Sequence, residues 1–537
     1  MKLKSVNTLK STVAMLLAGS AMQAQAATAT YDPATGVVDI PVVDVRGDAG
    51  VSTFAAQLKL NANNEFELLS GVNAASKTGD RVTFFTDSAA LYFPTVEVSG
   101  SGTEFAVKLR QVPGSSPLAF SVESISPVAF ESCPDFSTVG PINGTCVLSG
   151  EINQDITLTA NTEWILSGYV FIGGDKTNAA TLTIEPGTHI FGQQGNDALL
   201  IRRGSKIMAE GTPDQPIVFT GPNEQAAGEW GGVVISGYAP VNGCSEGVTV
   251  CETAFEAITS EFYGGDNPTD NSGMLKYVQI NYAGFEVRPD EELNGLTLLG
   301  VGSGTVVDYV QVHAGLDDGI EMFGGTVQMK HLVLTGAGDD SLDWGSGWRG
   351  KAQYVAIRQA DDDGDRGIEA DNNGDNNDAL PRSKPLLANM TVVGSSPDNG
   401  QGVLLRRGTG VNIYNSVFTG FAGACIRLDG DATYVNGGTP ENLSGELTIN
   451  NTYVDCVDNF ADKADSNTYT TEQWFTAQSG NVQGDPQLSG LFPATGSPLL
   501  SADAVVADSF LDSVTYIGAF KDANDNWTEE WTVNFNN

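Results

Sequence analysis

Two kinds of hydrophobic pattern divide the chain. From residue 27 to about 130, apolar and polar residues alternate in short runs: Val37-Val38-Asp39-Ile40, Phe54-Ala55-Ala56-Gln57-Leu58-Lys59-Leu60 and Phe105-Ala106-Val107-Lys108-Leu109. Alternation of period two, broken by Gly and Asn, predicts half-buried antiparallel strands and a small β-sandwich over 27–130. Asp32-Pro33-Ala34-Thr35-Gly36 is a turn before its first full strand. From Ile152 the chain repeats itself. One column reads Tyr277-Val278-Gln279-Ile280, Tyr309-Val310-Gln311-Val312, His331-Leu332-Val333-Leu334, Tyr354-Val355-Ala356-Ile357, Asn389-Met390-Thr391-Val392, Asn415-Ser416-Val417-Phe418 and Asn451-Thr452-Tyr453-Val454. A second runs between them: Gly295-Leu296-Thr297-Leu298, Gly319-Ile320-Glu321-Met322, Ser341-Leu342-Asp343-Trp344, Gly367-Ile368-Glu369-Ala370, Gly402-Val403-Leu404-Leu405 and Cys425-Ile426-Arg427-Leu428.

Each repeat therefore holds at least two short strands with inward apolar residues. The shortest step, 22 residues from Tyr309 to His331, is about one turn of a three-sided coil. A unit this short cannot bury its own apolar face, so neighbours must stack at a strand spacing of about 4.8 Å. The pattern predicts a parallel β-helix over 133–505, with Asn389, Asn415 and Asn451 in a ladder at one turn. A β-propeller, with blades of about 40 residues or more at constant period, does not fit steps this short. The open end of such a stack needs a cover against strand addition, and the segment 506–537, with Tyr516 to Trp531, is the expected cap.

The front half has the same grammar in Thr183-Ile184-Glu185-Pro186-Gly187-Thr188, Leu199-Leu200-Ile201-Arg202-Arg203-Gly204-Ser205 and Trp230-Gly231-Gly232-Val233-Val234-Ile235. At these residues the chain resembles a family of secreted bacterial right-handed parallel β-helix proteins within the pectate-lyase-like superfold. The resemblance continues through Phe323-Gly324-Gly325-Thr326 and Tyr516-Ile517-Gly518-Ala519-Phe520, covering about three quarters of the chain. It implies the fold; the superfold hosts lyases, hydrolases, adhesins and coat proteins alike.

Charge narrows the function. Lys+Arg number 27 against 66 Asp+Glu, a net charge of −39. Such a surface repels phosphate backbones and anionic lipid, and suits divalent cations or a salty medium. With three histidines (His189, His313, His331) and no HExxH motif, a His-rich zinc site is not expected. The N-terminus reads as a secretory signal peptide over 1–26: Lys2, Lys4 and Lys10 precede an apolar stretch from Val13 to Ala21, and Ala24-Gln25-Ala26 supplies small residues before a cut at Ala27. No segment reaches the 18 or so apolar residues of a membrane-spanning helix. An exported protein, extracellular, periplasmic or at the cell surface of a Gram-negative-type bacterium, is expected. Six cysteines fit that compartment, and local pairing as Cys133/Cys146, Cys244/Cys251 and Cys425/Cys456 is the expected framework.

The second column carries the candidate chemistry. Asp317-Asp318-Gly319-Ile320-Glu321, Asp339-Asp340-Ser341-Leu342-Asp343 and Asp365-Arg366-Gly367-Ile368-Glu369-Ala370-Asp371 fall on successive coils. With Ile320, Leu342 and Ile368 inward, alternation sends Glu321, Asp343 and Glu369 outward on adjacent rungs. Stacked carboxylates repel unless a cation or shared protons intervene, and calcium is the natural partner of clustered carboxylate oxygens. Asp361-Asp362-Asp363-Gly364-Asp365 and the run Asp371 to Asp378, including Asp375, alternate Asp and Asn with Gly as calcium loops do. Asp318, Asp339 and Asp340 are also similar in placement to the three acids of polygalacturonase-like hydrolases. A pectate-lyase-like lyase would instead need calcium and an Arg or Lys base near it, with Arg366, Arg349, Lys351 and Arg382 as candidates. Yet Leu316 stands where the hydrolase motif has Asn, and neither its Gly-His-Gly nor its Arg-Ile-Lys follows. Trp344 and Trp348 flank Gly345-Ser346-Gly347 beside the acids and are candidates for stacking on sugar faces. A calcium-stabilised binding or surface-structural protein, with polysaccharide as its ligand, is the expectation; a β-helix hydrolase or lyase is the alternative.

Overall fold

In a computed structural model, the structure describes residues 29–535 except 48–49, 74–81, 86–88, 100–102, 128–132, 141–144, 194, 225, 246, 289–290, 361–363, 396–399, 467, 503–507 and 526. The expected signal peptide and its cut site lie outside the described residues. The chain forms two units, Met1–Thr145 and Cys146–Asn536.

In the first unit, eight strands from Ala29–Asp32 to Ala119–Pro127 make one sheet. Neighbours in the sheet pair antiparallel, and two parallel pairings, Ala29–Asp32 with Ala90–Val98 and Val37–Gly47 with Val82–Phe85, bring its ends together. The sheet closes around Val38, Ile40, Leu58, Val82, Leu91, Phe93 and Leu109, the inward positions of its alternating strands. The Asp32–Gly36 turn is held by Asp32, whose carboxylate accepts from the Ala34 N–H and the Thr35 hydroxyl.

In the second unit the strands stack in parallel as a β-helix, from Thr145–Ile152 to Val482–Gln483. Three lines of strands run along it, where the two sequence columns mark only two. One contains Ala198–Ile201, Gly232–Ser236, Leu296–Leu299, Ile320–Phe323, Leu342–Gly345, Arg366–Ala370, Gln401–Leu405 and Ala424–Asp429. The other two lines share continuous strands, among them Gly273–Asn281, Val306–His313, Gln328–Thr335, Lys351–Arg358 and Leu386–Val393. Each of these strands bends at one residue in the left-handed region: Tyr277, Tyr309, His331, Tyr354 and Asn389, at φ of 51°, 56°, 49°, 61° and 54°. Asn415 and Asn451 follow at 48° and 50°.

That conformation suits Asn, whose short polar side chain bonds locally, and strains Tyr or His by about 1–2 kcal/mol. Stacking offsets the strain. Tyr277 lies 4.5 Å from Tyr309, Tyr309 4.1 Å from His331, and His331 4.9 Å from Tyr354, all within 22° of parallel. In the Asn part of the line, Asn451 donates to Asn415 as a ladder requires, at 3.1 Å, while Asn389 and Asn415 both donate to the Tyr516 carbonyl.

The C-terminal residues lie along the flank of the stack, not across its end. Trp531, Phe520 and Phe535 pack with Val333 and Ala356 against the ring line, and Ile517 packs on Val417. The last coil is covered instead by the short helix Thr471–Thr476 and the turn after it. Trp474 and Phe475 are buried there, Gln478 accepts from the Ile449 N–H, and Asn481 donates to the Ile449 carbonyl. These side-chain amides satisfy backbone groups that would otherwise template a further strand.

Disulfides Cys244–Cys251 and Cys425–Cys456 are formed, with Cα separations of 5.6 and 5.5 Å. Cys133 and Cys146 are oxidised as well, and no free cysteine remains. Cys425–Cys456 closes 31 residues and ties the Ala424–Asp429 strand to the end of Tyr453–Asp455. Replacing both cysteines by Ala is expected to cost about 2–4 kcal/mol in a denaturant melt. Unreduced peptide mapping of the parent checks the linkage itself.

Candidate functional site

The strand register builds the acidic wall. Glu321 pairs with Asp343 and Asp343 with Glu369, on the strands Ile320–Phe323, Leu342–Gly345 and Arg366–Ala370. Ile320, Leu342 and Ile368 point inward and are fully buried. The rows of acids at the strand entrances come equally close. The Gly319 N–H donates to the Asp340 carbonyl, the Asp365 N–H to the Asp339 carbonyl, and the Asp340 N–H to Oδ1 of Asp318 at 2.9 Å. Gly319 has no room for a side chain, since a Cβ would stand 2.5 Å from the Ser341 carbonyl.

Four overlapping acid triads result: Asp317/Asp318/Asp339, Asp318/Glu321/Asp343, Asp339/Asp340/Asp365 and Asp340/Asp343/Glu369. In each, one oxygen per residue lies within 4.8 Å of the others. Two unit charges at about 4 Å repel by roughly 4 kcal/mol at an effective dielectric constant of 20. Burial, and after it the neighbouring carboxylates, accordingly hold Asp318, Glu321, Asp340 and Asp343 well above the usual carboxylate range. For Asp340 the Arg366 guanidinium opposes the rise, and for Asp343 that of Arg406.

The wall has two different ends. At the Glu369 end, Arg366 Nη1 reaches Asp365 at 2.5 Å, Glu369 at 2.8 Å and Asp340 at 3.5 Å. Arg406 pairs with Glu369 and, at 2.8 Å, with Asp371, which also takes Arg407 at 2.8 Å. Burial still raises the Asp371 carboxyl to about 6 against the pull of Arg407. At the Glu321 end neutral donors serve the triad Asp318/Glu321/Asp343: the Asn294 amide lies 2.6 Å from Glu321, and the Asp340 N–H donates to Asp318. Oδ1 of Asp340 and Oδ1 of Asp343 are buried and accept no hydrogen bond. A desolvated carboxylate oxygen left unmatched costs free energy that a bound cation would recover.

Of the expected metal ligands, Asp317, Asp318, Glu321, Asp339, Asp340, Asp343, Asp365 and Glu369 come together. Asp361 and Asp363 lie outside the described residues. Asp371 is committed to arginines, and Asp375 is exposed on a turn built by its neighbours. In that turn Asn373 Oδ1 accepts from the Asp375 and Asn376 N–H groups, buried Asn372 donates to the Asn377 and Ala379 carbonyls, and Asp378 pairs with Arg382. The Asp/Asn run from 371 to 378 thus forms a self-bonded turn.

Trp344 and Trp348 are fully buried, with rings 5.7 Å apart and Trp344 Nε1 donating to Thr409. Neither offers a face to a sugar. The alternation that sends Asp343 outward sends Trp344 inward with Leu342. Arg406, Arg407 and Asn294 were not among the expected site residues. Arg406 and Arg407 follow the Gln401–Leu405 strand, next in register after the Glu369 rung, and that position is the signal that marks them.

The chain matches the family model of the pectate-lyase-like β-helix domain over residues 150–495. No curated protein and no solved structure matches it.

Proposed function

We propose that this chain, which belongs to the pectate-lyase-like β-helix domain family, is an exported polysaccharide-binding protein whose acidic wall takes calcium at its Glu321 end. Asp318, Glu321 and Asp343 would hold the ion, with Asp317 and Asp339 at the strand entrances. Calcium suits them because it accepts six to eight oxygens in a flexible geometry, as carboxylates on three rungs provide. The charge this adds would let the wall ionise without splitting the coils. The oxidised cysteines favour an oxidising compartment, and among the described residues no helix is long and apolar enough to cross a membrane.

One observation favours binding over catalysis: two of the three acids in hydrolase-like positions are buried away from any substrate. Asp318 and Asp340 are only 6% and 2% exposed. Asp318 accepts from the Asp340 backbone, and Arg366 is bound by three carboxylates. An inverting hydrolase needs two carboxyl groups flanking a substrate and a water, and a lyase needs a free base, which a paired guanidinium is not. Incubation of the mature protein with calcium and a panel of uronic-acid and neutral polysaccharides should give retention on one of them without products. New reducing ends, or ultraviolet-absorbing unsaturated products, that vanish in Asp340→Ala would overturn the binding reading.

A further inference from the structure

In a stack of coils each turn touches only its neighbours, and stability is close to a sum of nearest-neighbour terms. The acidic wall works against that sum, because it sets like charges on adjacent rungs of three consecutive coils. The flank segment 508–535 runs along these same coils, at the bend between the other two strand lines. Gln311 and Gln353, both fully buried, bracket it. Gln311 donates to the Val533 carbonyl at 2.7 Å and accepts from the Val533 N–H at 2.8 Å. Gln353 does the same with Asp512, at 3.0 and 2.8 Å. Between the two brackets lies His331, stacked between Tyr309 and Tyr354 and covered by Trp527 at 5.2 Å. Ion pairs add to the grip: Lys330 with Asp512 at 2.9 Å and Lys351 with Asp508 at 2.7 Å.

The strands so gripped lead directly into the wall. Val306–His313 precedes Ile320–Phe323, Gln328–Thr335 precedes Leu342–Gly345, and Lys351–Arg358 precedes Arg366–Ala370. We propose that the C-terminal segment is a brace for the site, holding the three acid-bearing coils at ladder spacing against their mutual repulsion and so setting the calcium affinity of the wall. This rests on the calcium reading above. A glutamine amide that both donates to and accepts from one backbone residue fixes position along the stack, as ladder bonds between neighbours do, but across coils that do not adjoin. The residues of the brace touch no ligand; Gln311 and Gln353 act as positioning residues.

The test uses the full chain carrying Gln311→Leu and Gln353→Leu, and separately a chain ending at Ser501. Calcium alone is titrated calorimetrically at constant ionic strength, and amide hydrogen exchange is followed in the calcium-free state. The expected result is a calcium affinity at least tenfold weaker, with exchange at least tenfold faster over 320–323, 342–345 and 366–370 and unchanged over 198–201 and 232–236. Adding Asp343→Asn to the glutamine variant, or 1 M sodium chloride, should restore slow exchange by removing or screening the repulsion. Unchanged affinity and exchange would overturn the brace, as would faster exchange spread evenly over all coils or left unrestored by Asp343→Asn. If the parent itself binds no calcium, the calcium reading fails and the exchange results alone decide the brace. Should the shortened chain not fold, the glutamine variant still decides.

Discussion

Calcium is expected to raise the melting temperature of the metal-free protein, and Asp343→Asn to abolish the rise. Asp343 belongs to two of the four acid triads, and its buried Oδ1 has no hydrogen-bond donor. An ion that binds only the native state adds about 2.7 kcal/mol at 100 times its dissociation constant. For a unit as long as Cys146–Asn536 that is a shift of about 2–5 °C. Differential scanning calorimetry with excess calcium and with excess chelator, at matched ionic strength, measures it. Magnesium should give a smaller shift, since it demands octahedral geometry and keeps its waters. Equal melting temperatures in calcium and chelator would remove the cation from the site.

Without calcium, stability should fall as pH rises from about 4 towards 8. The groups on the wall are Asp317, Asp318, Glu321, Asp339, Asp340, Asp343, Asp365, Glu369 and Asp371, faced by Arg366, Arg406 and Arg407, with Glu256 adding its charge near Glu321. Burial and mutual repulsion raise Asp318, Glu321, Asp340, Asp343 and Asp371 in the folded state. Above the unfolded carboxylate range the native state therefore holds more protons than the unfolded chain, and stability declines with pH. For Asp371, raised from 3.8 to about 6, the loss is complete above that pH and is on the order of 2–3 kcal/mol. Asp343→Asn should melt higher than the parent at pH 8 in chelator and flatten the profile. Calcium should flatten it as well, because binding needs the deprotonated acids. A chelated parent whose melting temperature climbs between pH 5 and 8 would contradict the assignment.

Much of this molecule is legible in its sequence. Repetition of inward pairs such as Ile320/Met322 and Leu342/Trp344 determines a stacked coil, because no single turn buries its own apolar face. Stacking in turn determines the wall: a register set by those inward residues places Glu321, Asp343 and Glu369 on consecutive rungs. The same alternation puts Trp344 in the core, so its burial was also readable. The third strand line was less so, since it runs into the second through Tyr or His at φ near 50°, residues that do not signal a turn. Their conformation is held by ring stacking between coils, which a linear sequence does not display.

Tertiary structure alone decided which carboxylates are neutralised. Arg406 lies 37 residues after Glu369 and Arg407 36 after Asp371, and only the return of the chain one coil later brings them together. It likewise decided that residues 508–535 bind a flank and that Thr471–Thr476 covers the last coil. Local pattern specifies what each turn buries. Partners from distant turns are chosen by the free energy of matching buried charges and backbone groups, which exists only once the stack has formed.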